Sequence, residues 1–115
     1  MHEYSIVQAL IERVAAEALS RKAESVRRIW VSIGDLAGVE RDLLATAYTT
    51  FRERTVCESC DMEIRSVAAK WECPRCHTER AHGQILRCET CGVPARLVQG
   101  DEIQLDRIEM EVASV

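Results

Sequence analysis

The sequence predicts an α+β protein in which two helices cover a three-stranded sheet and a zinc-ribbon-like unit is inserted ahead of the last strand. Three observations carry that expectation. Apolar residues recur every four positions in two stretches, 5–22 and 43–51, as amphipathic helices require. They alternate with polar residues in three further runs, around Ile29, Met62 and Ile103, as half-buried strands do. Between the second and third of these runs, Cys73-Pro74-Arg75-Cys76 precedes Cys88-Glu89-Thr90-Cys91.

The first helix is expected over Ser5 to Lys22, with Ile6, Leu10, Val14 and Ala18 on one face and Val7 and Ile11 beside them, while Glu12, Arg13, Glu17 and Arg21 lie on other faces. Residues 26–33 then change period from four to two. Ile29, Val31 and Ile33 share one side of the expected strand, Arg28, Trp30 and Ser32 take the other, and Gly34 ends it. A loop from Leu36 to Glu40 leads to a second helix carrying Leu43, Ala47 and Phe51, with Leu44 and Tyr48 alongside. Met62 and Ile64 open another strand, and the last begins near Glu102. In that last strand Ile103 and Leu105 are in phase, but Ile108, Met110 and Val112 fall in the opposite phase. The change at Asp106-Arg107 implies a bulge or kink, because a one-residue insertion is what moves a side chain to the other face. The expected organisation is a first domain of residues 1–68 plus 101–115 and a zinc-binding domain of residues 69–100, with Gly100 as a hinge.

At 115 residues, with 47% hydrophobic and 30% charged residues, the chain has the composition of a soluble globular protein with little core to spare for an insert of this size. No apolar run reaches membrane-spanning length, and a net charge of -4 argues against nucleic acid as the main partner, since backbone binding rests on clustered Lys and Arg. All six cysteines fall in Cys-x-x-Cys pairs (57/60, 73/76, 88/91) and no export signal precedes them. A cytoplasmic location and a metal, rather than a disulfide framework, are therefore expected.

Two Cys-x-x-Cys turns supply four thiolates to one ion, complete a closed zinc tetrahedron and leave no position for substrate, which makes the site structural. Pro74 presets φ in the first turn and Gly92, after the second, accepts φ > 0. Three pairs allow three choices of two. Cys73, Cys76, Cys88 and Cys91 are the expected zinc ligands because Cys57 and Cys60 adjoin the second helix. The 57/60 pair is expected as two thiols in the turn before a strand, in preference to a reversible dithiol. Cys73-Pro-Arg-Cys76-His77 also spells the c-type haem attachment pattern, which the missing export signal and the second pair disfavour. His77 and His82 are expected as turn and loop histidines.

Met1-His2-Glu3 carries different chemistry. The Met1 amine, the His2 amide and the His2 imidazole Nδ1 close adjacent five- and six-membered chelate rings in one plane, and the Glu3 amide nitrogen can complete it. A square plane of nitrogens suits Ni(II) or Cu(II). The tripeptide alone is weak evidence for a metal site.

The segments Met1-His2-Glu3-Tyr4-Ser5-Ile6, Ile33-Gly34-Asp35-Leu36-Ala37-Gly38-Val39-Glu40, the two later cysteine pairs, Gly100-Asp101-Glu102-Ile103 and Ile108-Glu109-Met110-Glu111 together resemble the HypA/HybF family of nickel metallochaperones over essentially the whole chain. The resemblance implies a nickel-binding α/β domain with a zinc-binding insert. It implies Ni(II) held transferably by Met1, His2 and Glu3, structural Zn(II) held by Cys73, Cys76, Cys88 and Cys91, and a delivery role without catalysis. The implied partners are a HypB-type GTPase, the large subunit of nickel-iron hydrogenase and, in some organisms, urease with its accessory proteins. Glu3 and Glu40 also fall on family positions. Cys57 and Cys60 depart from the family pattern, which has a Gly/Ala-rich link there, and Gly92 stands where a histidine would otherwise follow the second knuckle. The alternative is a zinc-ribbon adaptor or nucleic-acid module with no transferable metal, for which Lys70, Arg75, Arg80, Arg87, Arg96 and Trp71 are the candidate contacts. No Gly-x-x-x-x-Gly-Lys phosphate loop or nucleophile-base pair is legible.

Overall fold

The computed structural model describes residues 2–81 and 83–113. The expectations for Met1 and His82 lie outside them.

Helix α1 (Glu3–Ser20) starts two residues earlier than its periodicity suggests, with His2 at the N-cap in an extended conformation and no side-chain capping bond. Its stability comes from packing rather than from its cap: Val7, Leu10, Ile11, Val14 and Ala18 form the buried face. Lys22, expected inside the helix, instead has φ 54° and ends it. Strand β1 (Ala23–Gly34) follows at once and is the longest of the sheet. Helix α2 (Arg41–Phe51) is capped by Glu40, whose carboxylate accepts the Leu43 N–H at 2.8 Å, and it buries Leu44, Ala47 and Tyr48. Strand β2 (Asp61–Val67) returns parallel to β1, with Ile29 opposite Met62 and Val31 opposite Ile64. Parallel neighbours need a long crossover, and α2 supplies it.

The final strand, β6 (Ile103–Val112), pairs antiparallel on the other side of β1, so β1 is central in the order β2-β1-β6. Between them, β3 (Lys70–Glu72), β4 (Glu79–Ala81) and β5 (Arg96–Gln99) make a second three-stranded sheet in the order β4-β3-β5. These short strands carry no period long enough to read from sequence. The radius of gyration is 18.1 Å, against about 13 Å for a single compact body of this length, and the molecule extends 57 × 34 × 16 Å.

The phase change in β6 is a bulge. Trp30 pairs with Arg107 and Val31 with Leu105, which leaves Asp106 without an opposite residue. The bulge brings the Asp106 carboxylate to the Ser32 hydroxyl, which donates to it, and the Arg65 guanidinium donates to the same Ser32 oxygen at 3.1 Å. Ser32, expected on the polar side of β1, is only 2% exposed; a buried hydroxyl is tolerated when it is hydrogen-bonded.

Gly100 is a packed crossing point rather than a free hinge. Its φ is +105°, and a Cβ there would lie 2.5 Å from the Ala69 Cα. The Leu36 N–H donates to its carbonyl at 2.7 Å, and the Gly34 N–H donates to the Glu102 carbonyl at 2.8 Å. The chain thus leaves the first sheet after β2 and re-enters it before β6 through one knot of backbone contacts.

Candidate metal centres

The thiol cluster is built from two turns of the same design. In the first, the His77 N–H donates to the Cys73 carbonyl (3.0 Å) and the Cys73 N–H to the Thr78 carbonyl (3.0 Å); in the second, the Gly92 N–H donates to the Cys88 carbonyl (2.9 Å) and the Cys88 N–H to the Val93 carbonyl (3.0 Å). The Cys76 N–H points at the Cys73 Sγ (3.5 Å) and the Cys91 N–H at the Cys88 Sγ (3.4 Å). Each turn requires a positive φ just after its second cysteine, at His77 (61°) and Gly92 (68°). The shared Cys-x-x-Cys spacing is visible in the sequence, and the matching backbone hydrogen bonds are what the fold adds to it.

These turns bring the Sγ atoms of Cys73, Cys76, Cys88 and Cys91 within 4.8 Å of one another, with Cys76 and Cys88 at 3.5 Å. A tetrahedron with metal–sulfur bonds of about 2.3 Å has sulfurs about 3.8 Å apart, so the cluster is of the right size for zinc. Its protonation makes the same point. Hydrogen bonds from Thr78 hold Cys76 down to about 6, and the Cys76 N–H lowers Cys73, whereas its hydrogen bond with Cys76 pushes Cys91 up to about 12. Thiolates crowded together cannot all ionise unaided. A divalent cation removes that conflict, and the donor set therefore fits zinc. Cys73 and Cys88 are buried while Cys76 is exposed.

His77 faces away from a role as a fifth donor: its Nδ1 lies 2.7 Å from the Glu72 carboxylate, which the Arg96 guanidinium also approaches at 3.8 Å. The His77 contact, first among several, holds the Glu72 carboxyl below its usual range. Sequence spacing gives no sign of this tether, since Glu72 and His77 meet only because the first turn folds back on β3.

Cys57 and Cys60 stand apart from the cluster. Both are wholly buried in the core of the first sheet, at 0% exposure, in the turn between α2 and β2. The Tyr48 hydroxyl and the Arg52 guanidinium both donate to the Cys60 carbonyl, at 2.7 and 3.0 Å.

At the other end of the chain, His2 is exposed. Its carbonyl accepts the Ser5 and Ile6 N–H groups at 3.1 and 3.3 Å, and its side chain makes no capping bond. Glu3 opens α1, and an N–H in a helix's first turn has no partner within the helix. The neighbouring Tyr4 and Phe51 rings meet edge-on at 4.9 Å and are 61% and 50% exposed. Glu40 is occupied as the cap of α2. Among the described residues no helix is long and apolar enough to cross a membrane.

Residues 1–110 match the family model described as hydrogenase/urease nickel incorporation, metallochaperone, hypA. The chain is 39% identical to the hydrogenase maturation factor HypA of Wolinella succinogenes over 114 residues, covering 96% of each chain. It is 36% identical to that of Aquifex aeolicus, covering 97% of this chain and 99% of the relative. The solution structure of the nickel metallochaperone HypA from Helicobacter pylori superposes with a TM-score of 0.75 at 30% identity, over 98% of this chain and 100% of that one. A second solution structure of a HypA protein gives 0.81 at the same identity. With a matching fold, a clustered four-cysteine site and relatives aligned end to end, the chain belongs to the HypA family of nickel metallochaperones, maturation factors rather than enzymes.

Proposed function

We propose that this protein carries Ni(II) at its amino terminus and hands it to the large subunit of nickel-iron hydrogenase, working in the cytoplasm with a HypB-type GTPase. The Met1 amine, the His2 amide and imidazole and the Glu3 amide hold the ion. The supporting observation is the state of His2 and Glu3: an exposed imidazole with no capping bond, followed by an amide in the unpaired first turn of α1. Ligation there breaks no bond within the helix. The site holds its cargo in a shallow, solvent-facing position, which favours ligand exchange with an acceptor.

Zn(II), held by Cys73, Cys76, Cys88 and Cys91, is structural in this reading. Residues 69–100 form the zinc-binding unit, and residues 1–68 with 101–115 form the nickel-binding domain. Urease, through its accessory proteins, is a second destination in organisms that make it.

Titration of Ni(II) into protein carrying one zinc tests the proposal. One equivalent should bind with a square-planar absorption band, and a residue added ahead of Met1 should abolish that binding while zinc content stays the same. Equal nickel binding by the extended protein removes the amino-terminal site, and a protein that binds no nickel in either form is better read as a zinc-ribbon adaptor.

A further inference from the structure

Two neighbouring amide nitrogens share one ion only when the torsion between them, ψ, turns both to the same side. With metal–nitrogen bonds of about 2.0 Å, adjacent corners of a square plane lie about 2.8 Å apart. Standard backbone dimensions place consecutive nitrogens about 2.7 Å apart when ψ is near 0°. His2 has a ψ of 125°, which holds its nitrogen and that of Glu3 about 3.5 Å apart. The Met1 amine, the His2 amide and the His2 imidazole are joined by chelate rings that do not contain this torsion, so it does not restrict them. The Glu3 amide is different. It reaches the fourth corner only if His2 turns.

The turn costs the helix nothing. Rotation about the His2 Cα–C bond carries the His2 amide and imidazole around the end of α1 but leaves the His2 carbonyl and the Glu3 nitrogen in place. The bonds from the Ser5 and Ile6 N–H groups to that carbonyl, at 3.1 and 3.3 Å, therefore persist. The φ of His2 is already -82°, a value that both the extended and the helical regions accept. Its side chain is exposed and makes no capping bond that would resist.

We propose, on the footing of the amino-terminal nickel site, that the fourth corner of the nickel plane is a gated position through which the acceptor takes hold of the ion. With His2 turned to a ψ near 0°, the Glu3 amide closes the corner, giving its proton to solvent as its nitrogen binds nickel. With His2 in the extended conformation of this structure, the corner falls to a nitrogen or sulfur donor of the acceptor, both of which suit Ni(II) or its thiolate-rich sites. One nickel–nitrogen bond breaks, one nickel–ligand bond forms, and the Glu3 nitrogen takes a proton back from solvent; no electrons are exchanged. Three nitrogens keep the ion while the acceptor binds, so nickel is never free in solution during the exchange.

Proline at position 3 separates the two states. It has no N–H to give up, it disfavours a helical ψ in the residue before it, and it is well accommodated at the first position of a helix, which Glu3 occupies. The full chain carrying zinc, as wild type and as Glu3→Pro, is titrated with Ni(II), and imidazole is then added as a one-nitrogen stand-in for the acceptor's donor. Glu3→Pro should bind one nickel with affinity reduced roughly tenfold or more, since even outer-shell partners of a metal are worth about 10–100-fold. Imidazole should shift its visible band at concentrations that leave the wild-type band unchanged. In the nickel-loaded wild type, diamagnetic when square planar, an NMR structure should give His2 a ψ near 0°. A Glu3→Pro protein that matches wild type in affinity and imidazole response, or that binds no nickel at all, overturns the gate, as does a His2 still extended in the loaded wild type. Nickel binding that survives a residue added ahead of Met1 overturns the amino-terminal site itself, which is a different failure. If Glu3→Pro loses the helicity of α1, the His2 torsion in the loaded wild type decides.

Discussion

Gly34 and Gly100 touch through their backbones: a Cβ on Gly34 would lie 2.2 Å from both the carbonyl carbon and the oxygen of Gly100. The two strands of the first sheet that flank the second sheet in sequence, β2 and β6, are tied to the end of β1 at this contact. The Asp35 N–H reaches the Val67 carbonyl at 2.9 Å and the Leu36 N–H reaches Gly100 at 2.7 Å. Gly34→Ala and Gly100→Ala are each expected to destabilise the protein by about 3 kcal/mol, because the clash is with backbone that cannot swing aside, and Gly100 also carries a left-handed φ. Urea unfolding followed by circular dichroism measures this; a loss below about 1 kcal/mol for both variants would mean the crossing is looser than described.

Replacing Cys73 or Cys91 with serine should loosen β3, β4 and β5 while α1 and α2 keep their helicity. Metal binding supplies roughly 10 kcal/mol or more to small zinc folds, and among the described residues of 69–100 only Ala69, Cys73 and Cys88 belong to the buried apolar side chains. Acid should act likewise, because protons compete with zinc for thiolates as pH falls. Amide NMR spectra with zinc analysis check both, and a serine variant with stoichiometric zinc and unshifted β3 resonances would refute the assignment.

His77 and Gly92 hold the same left-handed position in their two turns, so their substitutions should diverge. His77→Gly removes the strain of a side chain at positive φ and the Glu72 contact together, and is expected to change stability by less than about 1 kcal/mol with zinc retained. Gly92→Ala introduces that strain and should cost about 1–2 kcal/mol. Zinc loss in His77→Gly would make the imidazole a ligand after all.

Nickel binding should weaken as pH falls below about 8, since the α-amine, with a reference pKa of about 7.7–8.0, must give up its proton along with the amides. His2→Ala should abolish specific binding and leave zinc and fold intact, because His2 is exposed and supports no core contact. Isothermal titration at several pH values reads both effects; an affinity independent of pH would exclude an amine donor.

Tyr48→Phe keeps the ring in the core and removes one of two donors to the Cys60 carbonyl. With Arg52 still bound there, a loss of about 1 kcal/mol is expected. Thermal unfolding compared with Leu44→Ala, a buried truncation expected to cost about 2–5 kcal/mol, separates the hydrogen bond from packing.

Period and spacing in the sequence are enough to indicate the two helices, the three longer strands, the bulge at Asp106 and the grouping of Cys73, Cys76, Cys88 and Cys91 apart from Cys57 and Cys60. Those features are local: a four-residue apolar repeat, an alternating run, a change of phase and a pair of knuckles each reveal themselves within a few residues of chain. The tertiary structure decided what depends on distant partners. β1 takes the centre of its sheet, with β2 parallel and β6 antiparallel, because α2 carries the chain across, and no local pattern records a neighbour thirty or eighty residues away. Ser32 is buried because the Asp106 bulge and Arg65 converge on it, Gly100 is locked because Ala69 and Gly34 press on its backbone, and Cys57 and Cys60 join the core because α2 lays Tyr48 across their turn.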